Sequence, residues 1–544
     1  MTLDGFLTVL ALIAAVYAVL TPVQRLKLSL FWPWQLLLAA PACAAILFLE
    51  LYQPNLACRL SSVSLCAWLS FGPAPQAAGK TAFLIAAAWL ASAIAIHRFA
   101  RPMAANAAAL CRVATGLLDE ERYGEAIELL SPQLKLLAAT SRRRSSLQRL
   151  HDWLAGFGST DRGVFALLAQ PPGARPRLGD NWPDAAARPF RWLANLVPSH
   201  RRAEQAASDL FQHLFNATQL FDYVASRRPY FGLRLIAQDV FGAGDFSEKY
   251  LGRLIAEPTS LLYQELATAD GIDGLLGYKL LERNRLLHYL FADAQNAERL
   301  SAWQAVGDYL VRLVNGSERP GYRAWLNSAP RDFEAEKMRD PLYMGLFYFS
   351  LMVTSAARQG VGYHMWLFYL RTIAAGLADH YDSTGDEVDR DAEFPVRVAR
   401  LLYELFHYLT QWIGMFEHLP ESSFHRRFPE KPDRVATVPH AAGVTLGRAL
   451  ASVIRSDRLD TQVKATLLEV AIRAVRALHP DNGEISRMRA WLIDALLDSA
   501  ETSPRAFWSQ LQGYYGLIDL MLRYEVQDFT EALSERLARP AGQQ

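Results

Sequence analysis

Apolar and polar positions divide this chain into two regimes. Near the amino terminus the apolar residues run without interruption: 20 uncharged residues separate Asp4 from Arg25, and 22 separate Lys27 from Glu50. Each run matches the ~20 residues that a helix needs to cross about 30 Å of hydrocarbon. Thr81 to Ile96 is shorter, but Lys80 and Arg98 bracket it and can reach the headgroups from its ends. The pattern predicts three membrane spans, at 5–24, 28–49 and 81–97. Beyond residue 102 the apolar positions recur at spacings of three and four, and no period-two alternation bounded by hairpin turns appears, so the rest reads as helix. In "SDLFQHLFNATQLFDYVA", Leu210, Phe211, Leu214, Phe215, Leu220, Phe221 and Val224 form one helical stripe.

The predicted fold is therefore all-α: a three-helix transmembrane region at 1–100, followed by a helical solenoid or bundle. Helix starts are marked at Asp340-Pro341 and Ser503-Pro504, where a capping side chain precedes a first-turn proline, and at Asp481 with Glu484 as a capping box. Pro- and Gly-rich text at 170–189 and 420–439 reads as linkers, with boundaries near 180 and 430. This gives helical blocks at 102–169, 190–419 and 435–540. The most apolar text of this part, 341–378, could be a membrane hairpin or a pair of buried helices. Arg371 inside its second half, at roughly 3 kcal/mol for insertion, favours burial in protein.

Direction follows from basic residues in short loops. Arg25 and Lys27 lie between the first two spans, and Arg98 and Arg101 follow the third. Both places are expected in the cytoplasm, leaving the amino terminus outside and everything after residue 100 inside. Arginine outnumbers lysine and alanine is abundant, which suggests a bacterial inner-membrane protein. A formal net charge of +1 offers no global field for nucleic acid. Gly79-Lys80-Thr81 would end a phosphate-binding loop, but Ala74 stands where its first glycine belongs, so Lys80 reads as an interfacial anchor.

"GLLDEERYGEAIELL" places Tyr123, Ala126 and Leu130 at positions where this stretch resembles one turn of a tetratricopeptide repeat. The resemblance spans about fifteen residues, no 34-residue recurrence follows, and it implies at most a helix pair closed around Ala126.

Candidates for chemistry are sparse. Cys58 and Cys66, on the outer loop, either form a small disulfide or are apolar fillers of an interfacial segment. Arg142, Arg143, Arg144 and Arg149 either contact anionic lipid or a partner, or form an ordinary charged helix face. Asp382, Asp386, Glu387, Asp389, Asp391 and Glu393 make an acidic loop that could dock a basic surface; Glu387 and Arg390 spoil its likeness to a calcium loop. Glu404 and His407 have the spacing of two metal ligands on a helix, with no second such pair, and read as core neighbours. His425, Arg426 and Arg427 read as a solvated linker. No catalytic grouping, cofactor or metal site is expected. Two functions remain: a membrane-anchored scaffold that binds a cytoplasmic protein, or a membrane-acting effector whose helical part senses a signal and whose alanine-rich spans associate into homo-oligomers.

Overall fold

The structure, a computed structural model, describes residues 107–142, 201–238, 240, 242–269, 278–362, 367–428, 437–479, 483–499 and 504–539, with 37–45 and isolated positions at 85, 88, 89, 91, 92, 154, 188–190, 192 and 193. Among the described residues the chain is all-α, and no helix there is long and apolar enough to cross a membrane. The expected span at 5–24 lies outside the described residues. Those at 28–49 and 81–97 are described only at 37–45 and at 85, 88, 89, 91 and 92, all helical. The chain forms two compact units: the first ends at Ala217 and includes Ala237–Val240, and the second comprises Thr218–Ile236 and Phe241 onward.

In the first unit, α1 (Ala107–Asp119), α2 (Tyr123–Leu130), α3 (Leu134–Arg142) and α4 (Arg201–Asn216) bury one apolar stripe each. Arg122 N–H closes α1 by donating to Leu117 O at 2.8 Å, and Glu121, at φ 58°, reverses the chain. The helix pair around fully buried Ala126 forms as expected. At eight residues, however, α2 is too short for the pair of a 34-residue unit, and α3 follows after three turn residues. α4 lays Ala207, Leu210, Phe211 and Leu214 against α1 and α3. There Cys111 is enclosed, and burial, aided by Asp209, pushes its thiol up to about 12, so it is an inert core residue. The stripe expected as one helix from 210 to 224 is two helices. Asn216 and Thr218, which compete with helical hydrogen bonds, flank a break at Ala217, and the boundary between the units falls there.

The second unit starts with α5 (Thr218–Arg227) and α6 (Pro229–Ile236), then builds two rows. One row is α7 (Ala243–Ala256), α9 (Ala302–Val314), α11 (Leu367–Asp379), α13 (Val438–Arg455) and α15 (Gly483–Leu497), each packed on the next. The other is α8 (Leu261–Thr268), α10 (Pro341–Gln359), α12 (Arg397–His418), α14 (Thr461–Ala477) and α16 (Pro504–Tyr515). α17 (Leu520–Glu525) and α18 (Gln527–Ala538) end the unit against α14 and α16.

α10 lies at the heart of this arrangement. All but three of its 19 residues are buried, because its sequence is apolar on every side and only enclosure by neighbours satisfies it. Asp340 starts it, accepting from Tyr343 N–H at 2.9 Å, with Pro341 in the first turn; Gly360, at φ 68°, ends it. α10 packs on α8, α9 and α12, and α11 on α9, α12 and α13, so both helices of this apolar text lie against others of the unit, with Phe368 of α11 left exposed. Arg371 lies over the Phe368 ring at 5.5 Å. Between α12 and α13, His425 and Arg426, expected to be solvated, are buried. Val438 N–H donates to His425 Nδ1 at 3.1 Å, and Arg426 pairs with Glu484 at 2.9 Å.

Row neighbours meet most closely at Gly447 of α13, where any Cβ would overlap the backbone carbonyl of Ala495 in α15. Backbone cannot rotate away as a side chain can. Gly447→Ala is expected to destabilise the chain by about 1–3 kcal/mol through overpacking. By contrast Gly414, on α12 with open space around it, should gain up to ~1 kcal/mol as Ala. Denaturant midpoints of the two variants measure this, and equal effects would contradict the packing.

Candidate functional site

The turn from Asn315 to Gly321 needs two glycines, Gly316 at φ 77° and Gly321 at φ 81°, conformations that cost other residues strain. Arg323 braces the turn by donating to the backbone carbonyls of Val314 and Asn315. Two consecutive residues of it, Glu318 and Arg319, line two separate cavities.

The first cavity, of about 420 Å³, opens between α7 and α9 and is lined by Glu248, Lys249, Arg253, Asp308, Arg312 and Glu318 over a floor that includes Phe221 and Tyr309. Charges of both signs line it, and most are matched. Arg253 pairs with Asp222 at 2.7 Å, Arg312 pairs with Glu318, Asp308 accepts from Tyr369 O–H at 2.9 Å, and Lys249 stands over the Phe221 ring at 5.6 Å. Such a lining has no net preference for one ion. It presents an apolar floor with donors and acceptors at its rim.

The second cavity, of about 430 Å³, is lined by Arg319, Gly321, Tyr322, Trp325, Glu336, Arg339 and Asp340. Its floor is a buried pair: Tyr322 O–H donates to Asp340 Oδ1 at 2.5 Å, while Oδ2 holds the first turn of α10. Burial pushes the Asp340 carboxyl up to about 6, against the opposing pull of the Tyr322 hydroxyl, two backbone N–H groups and Arg319. Tyr322 stacks on Trp325 with centroids 5.3 Å apart, and Arg397 covers that indole at 4.7 Å while pairing with Glu336 at 2.7 Å. Arg319 and Arg339 have no carboxylate partner among the described residues. Their guanidinium groups are the donors this rim can offer to a carboxylate or phosphate.

The residues nominated from the sequence do not converge on either cavity. Cys58, Cys66, Arg143, Arg144 and Arg149 lie outside the described residues, and Arg142 is exposed at the end of α3. The acidic loop is closed on itself. Asp382 accepts from both N–H and Oγ1 of Thr384, at 2.9 and 2.7 Å, which holds its carboxyl below the usual range, and Asp389 accepts from Asp391 N–H at 3.0 Å. Glu387 approaches Arg331 at 3.9 Å on the surface, while Asp386 and Glu393 are exposed. No group of three metal-ligating side chains is assembled among the described residues. Glu404 pairs with Arg400 at 2.9 Å, and His407, expected in the core, is exposed, parallel to Tyr403 and within 2.9 Å of Gln411 Nε2.

Sequence reasoning passed over both cavities, although "NGSERPGYRAW", with two glycines and a proline within seven residues, marks a forced turn beside aromatic side chains. It also missed fully buried His440, whose ring lies 4.7 Å from Trp491 and 4.9 Å from Phe428 and whose Nδ1 is 2.7 Å from Thr437 Oγ1. Burial, with Arg487 nearby, lowers it to about 4. No protein-family model, curated protein or solved structure matches the chain.

These two buried groups give stability opposite slopes with pH. Asp340 is raised from 3.8, so the folded state binds its proton more tightly, and the stability it contributes is complete below pH 4 and lost as pH rises through 6, about 3 kcal/mol in all. His440 is lowered from 6.5, so its contribution is complete above 6.5 and lost as pH falls toward 4, again about 3 kcal/mol. Denaturant titrations from pH 4 to 7.5 should show that Asp340→Asn removes the first slope and His440→Gln the second. A variant that merely shifts the wild-type curve downward by a constant would contradict the assignment.

Proposed function

We propose that this protein is a membrane-anchored helical scaffold that binds a cytoplasmic protein partner. The supporting observation is the mixed-charge groove between α7 and α9, about 420 Å³ with Phe221 and Tyr309 in its floor. Matched charges of both signs over an apolar floor suit a polypeptide segment, which brings apolar side chains, carbonyls and charges of both signs together; a small ion would use only one sign. The two rows of the second unit fit the reading of an irregular solenoid, in which grooves between successive row helices serve a partner. Anchoring is supported by residues 37–45, an apolar helix in which no residue is buried and Leu37 is 65% exposed. A bilayer is the solvent such a helix calls for. Arg98 and Arg101 support a cytoplasmic side for the remainder of the chain.

A photo-crosslinking amino acid at Thr218 or Gly252, both lining the groove, tests this in membranes of the native host. The expected result is one defined protein adduct from both positions, absent from a control at Gln512 and lost on Arg253→Glu with Arg312→Glu. Adducts no different from the control, or a chain recovered in the supernatant after detergent-free ultracentrifugation, would overturn the proposal.

A further inference from the structure

Among the described residues nine large apolar side chains are strongly exposed, and four of them fall within eight positions: Leu517, Leu520, Met521 and Tyr524, at 60, 68, 64 and 70%. Leu517 lies in the turn leading into α17, and the other three share one face of that helix. The opposite face is already used, because Ile518, Leu522 and Val526 are buried against the unit. α17 is thus apolar on two sides, and only one has a neighbour. Together the four leave on the order of 400 Å² of adjacent apolar surface, a size that on a monomer marks an interaction site.

The flanks of this stripe identify what covers it. At 100° per residue, Arg523 borders the exposed face on one side and Glu525 on the other. Glu525 reaches Arg476 at 3.1 Å with both groups half exposed, while Arg523 makes no ion pair among the described residues. An apolar strip with opposite charges on its two edges is self-complementary: a two-fold axis running along α17 brings each Arg523 to Glu525 of the second copy, twice, as the strips close on each other. A bilayer would select basic residues on both edges, which this helix lacks. Two such strips contribute about 800 Å² of apolar core, and a polar rim of ordinary width extends that into the ~1,200–2,000 Å² typical of specific interfaces. We infer that the exposed face of α17 is the contact through which two copies of this chain associate, a junction in the carboxyl-terminal unit separate from any association of the membrane segments.

Site-directed disulfide trapping of the full-length protein in detergent tests the inference without depending on the overall oligomeric state. Tyr524→Cys, midway between Arg523 and Glu525 around the helix and so nearest the axis, should give a covalent dimer as the main product on mild oxidation. Gln512→Cys, exposed but off the strip, should not, and Leu520→Glu added to Tyr524→Cys should reduce the dimer at least tenfold. Trapping at 512 equal to that at 524, or trapping at 524 unaffected by Leu520→Glu, would overturn the inference. So would a 524 position that remains monomeric and instead acquires protection from a thiol reagent on addition of zwitterionic lipid vesicles, which would assign the strip to lipid. Unchanged thermal unfolding of Leu520→Glu at low protein concentration, where no dimer persists, shows that loss of trapping is not loss of fold.

Discussion

A helix apolar on every side must be enclosed, and α10 is the helix on which the second unit depends. Its aromatic and aliphatic residues from Leu342 to Val353 point in all directions and find partners in all of them: Tyr348 O–H donates to Ala302 O at 3.2 Å, and its ring meets that of Phe291. Two rows of helices follow from that requirement, since one row could cover only one side. Enclosure also sets the electrostatics of the helix start. Asp340 must cap α10 where water is excluded, so the carboxylate that satisfies the first turn is itself desolvated and leans on the Tyr322 hydroxyl. The raised carboxyl below the second cavity is a consequence of building a core helix, and its place beside Arg319 gives the cavity its charge.

Arginines fasten the irregular segments around this core. Arg397 covers Trp325, donates to Ala329 O at 2.8 Å and pairs with Glu336. One turn later Arg400 lies within 5.7 Å of the ring centroids of Phe333, Phe394 and Tyr403 while paired with Glu404. Planar guanidinium groups can do both at once, stacking on rings through their faces and donating through their edges. In this way the first turn of α12 pins the 325–336 segment, and with it the rim of the second cavity, without a regular helix in that stretch long enough to hold itself in place.

Much of this architecture was legible in the sequence, for definite reasons. Local signals survived: Asp340-Pro341 does begin α10, and the helix that carries Arg371 packs on three others of its unit. Signals that depend on what lies opposite did not. The 210–224 stripe keeps its helical spacing across Ala217, because spacing alone does not register a one-residue break. His425 and Arg426 sit in a stretch of prolines and charges that looks like a linker, yet they are drawn inside to cap α13 and to pair with Glu484. Neither cavity has a sequence motif: the first is assembled from residues up to a hundred positions apart, and the second, from 319–325 and 336–341, closes only when α10 has been enclosed.

The amino-terminal apolar runs and the exposed strip of α17 differ in where their charges stand. In the amino-terminal sequence the charges stand at the ends of the apolar runs, Lys27 and Glu50 or Lys80 and Arg98, with 22 and 17 residues free of Asp, Glu, Lys and Arg between them. That is the distribution a slab of hydrocarbon demands, polar only where the slab stops. Along α17 the charges stand beside the apolar positions instead, one sign on each edge, and the bare strip is about two turns long. Such a strip is too short for a membrane and too narrow to be left in water, but it has the width of one helix. The same rule, that apolar area must be covered, bears on both: a run of about twenty residues without charge suits hydrocarbon, whereas a short strip edged by opposite charges suits protein.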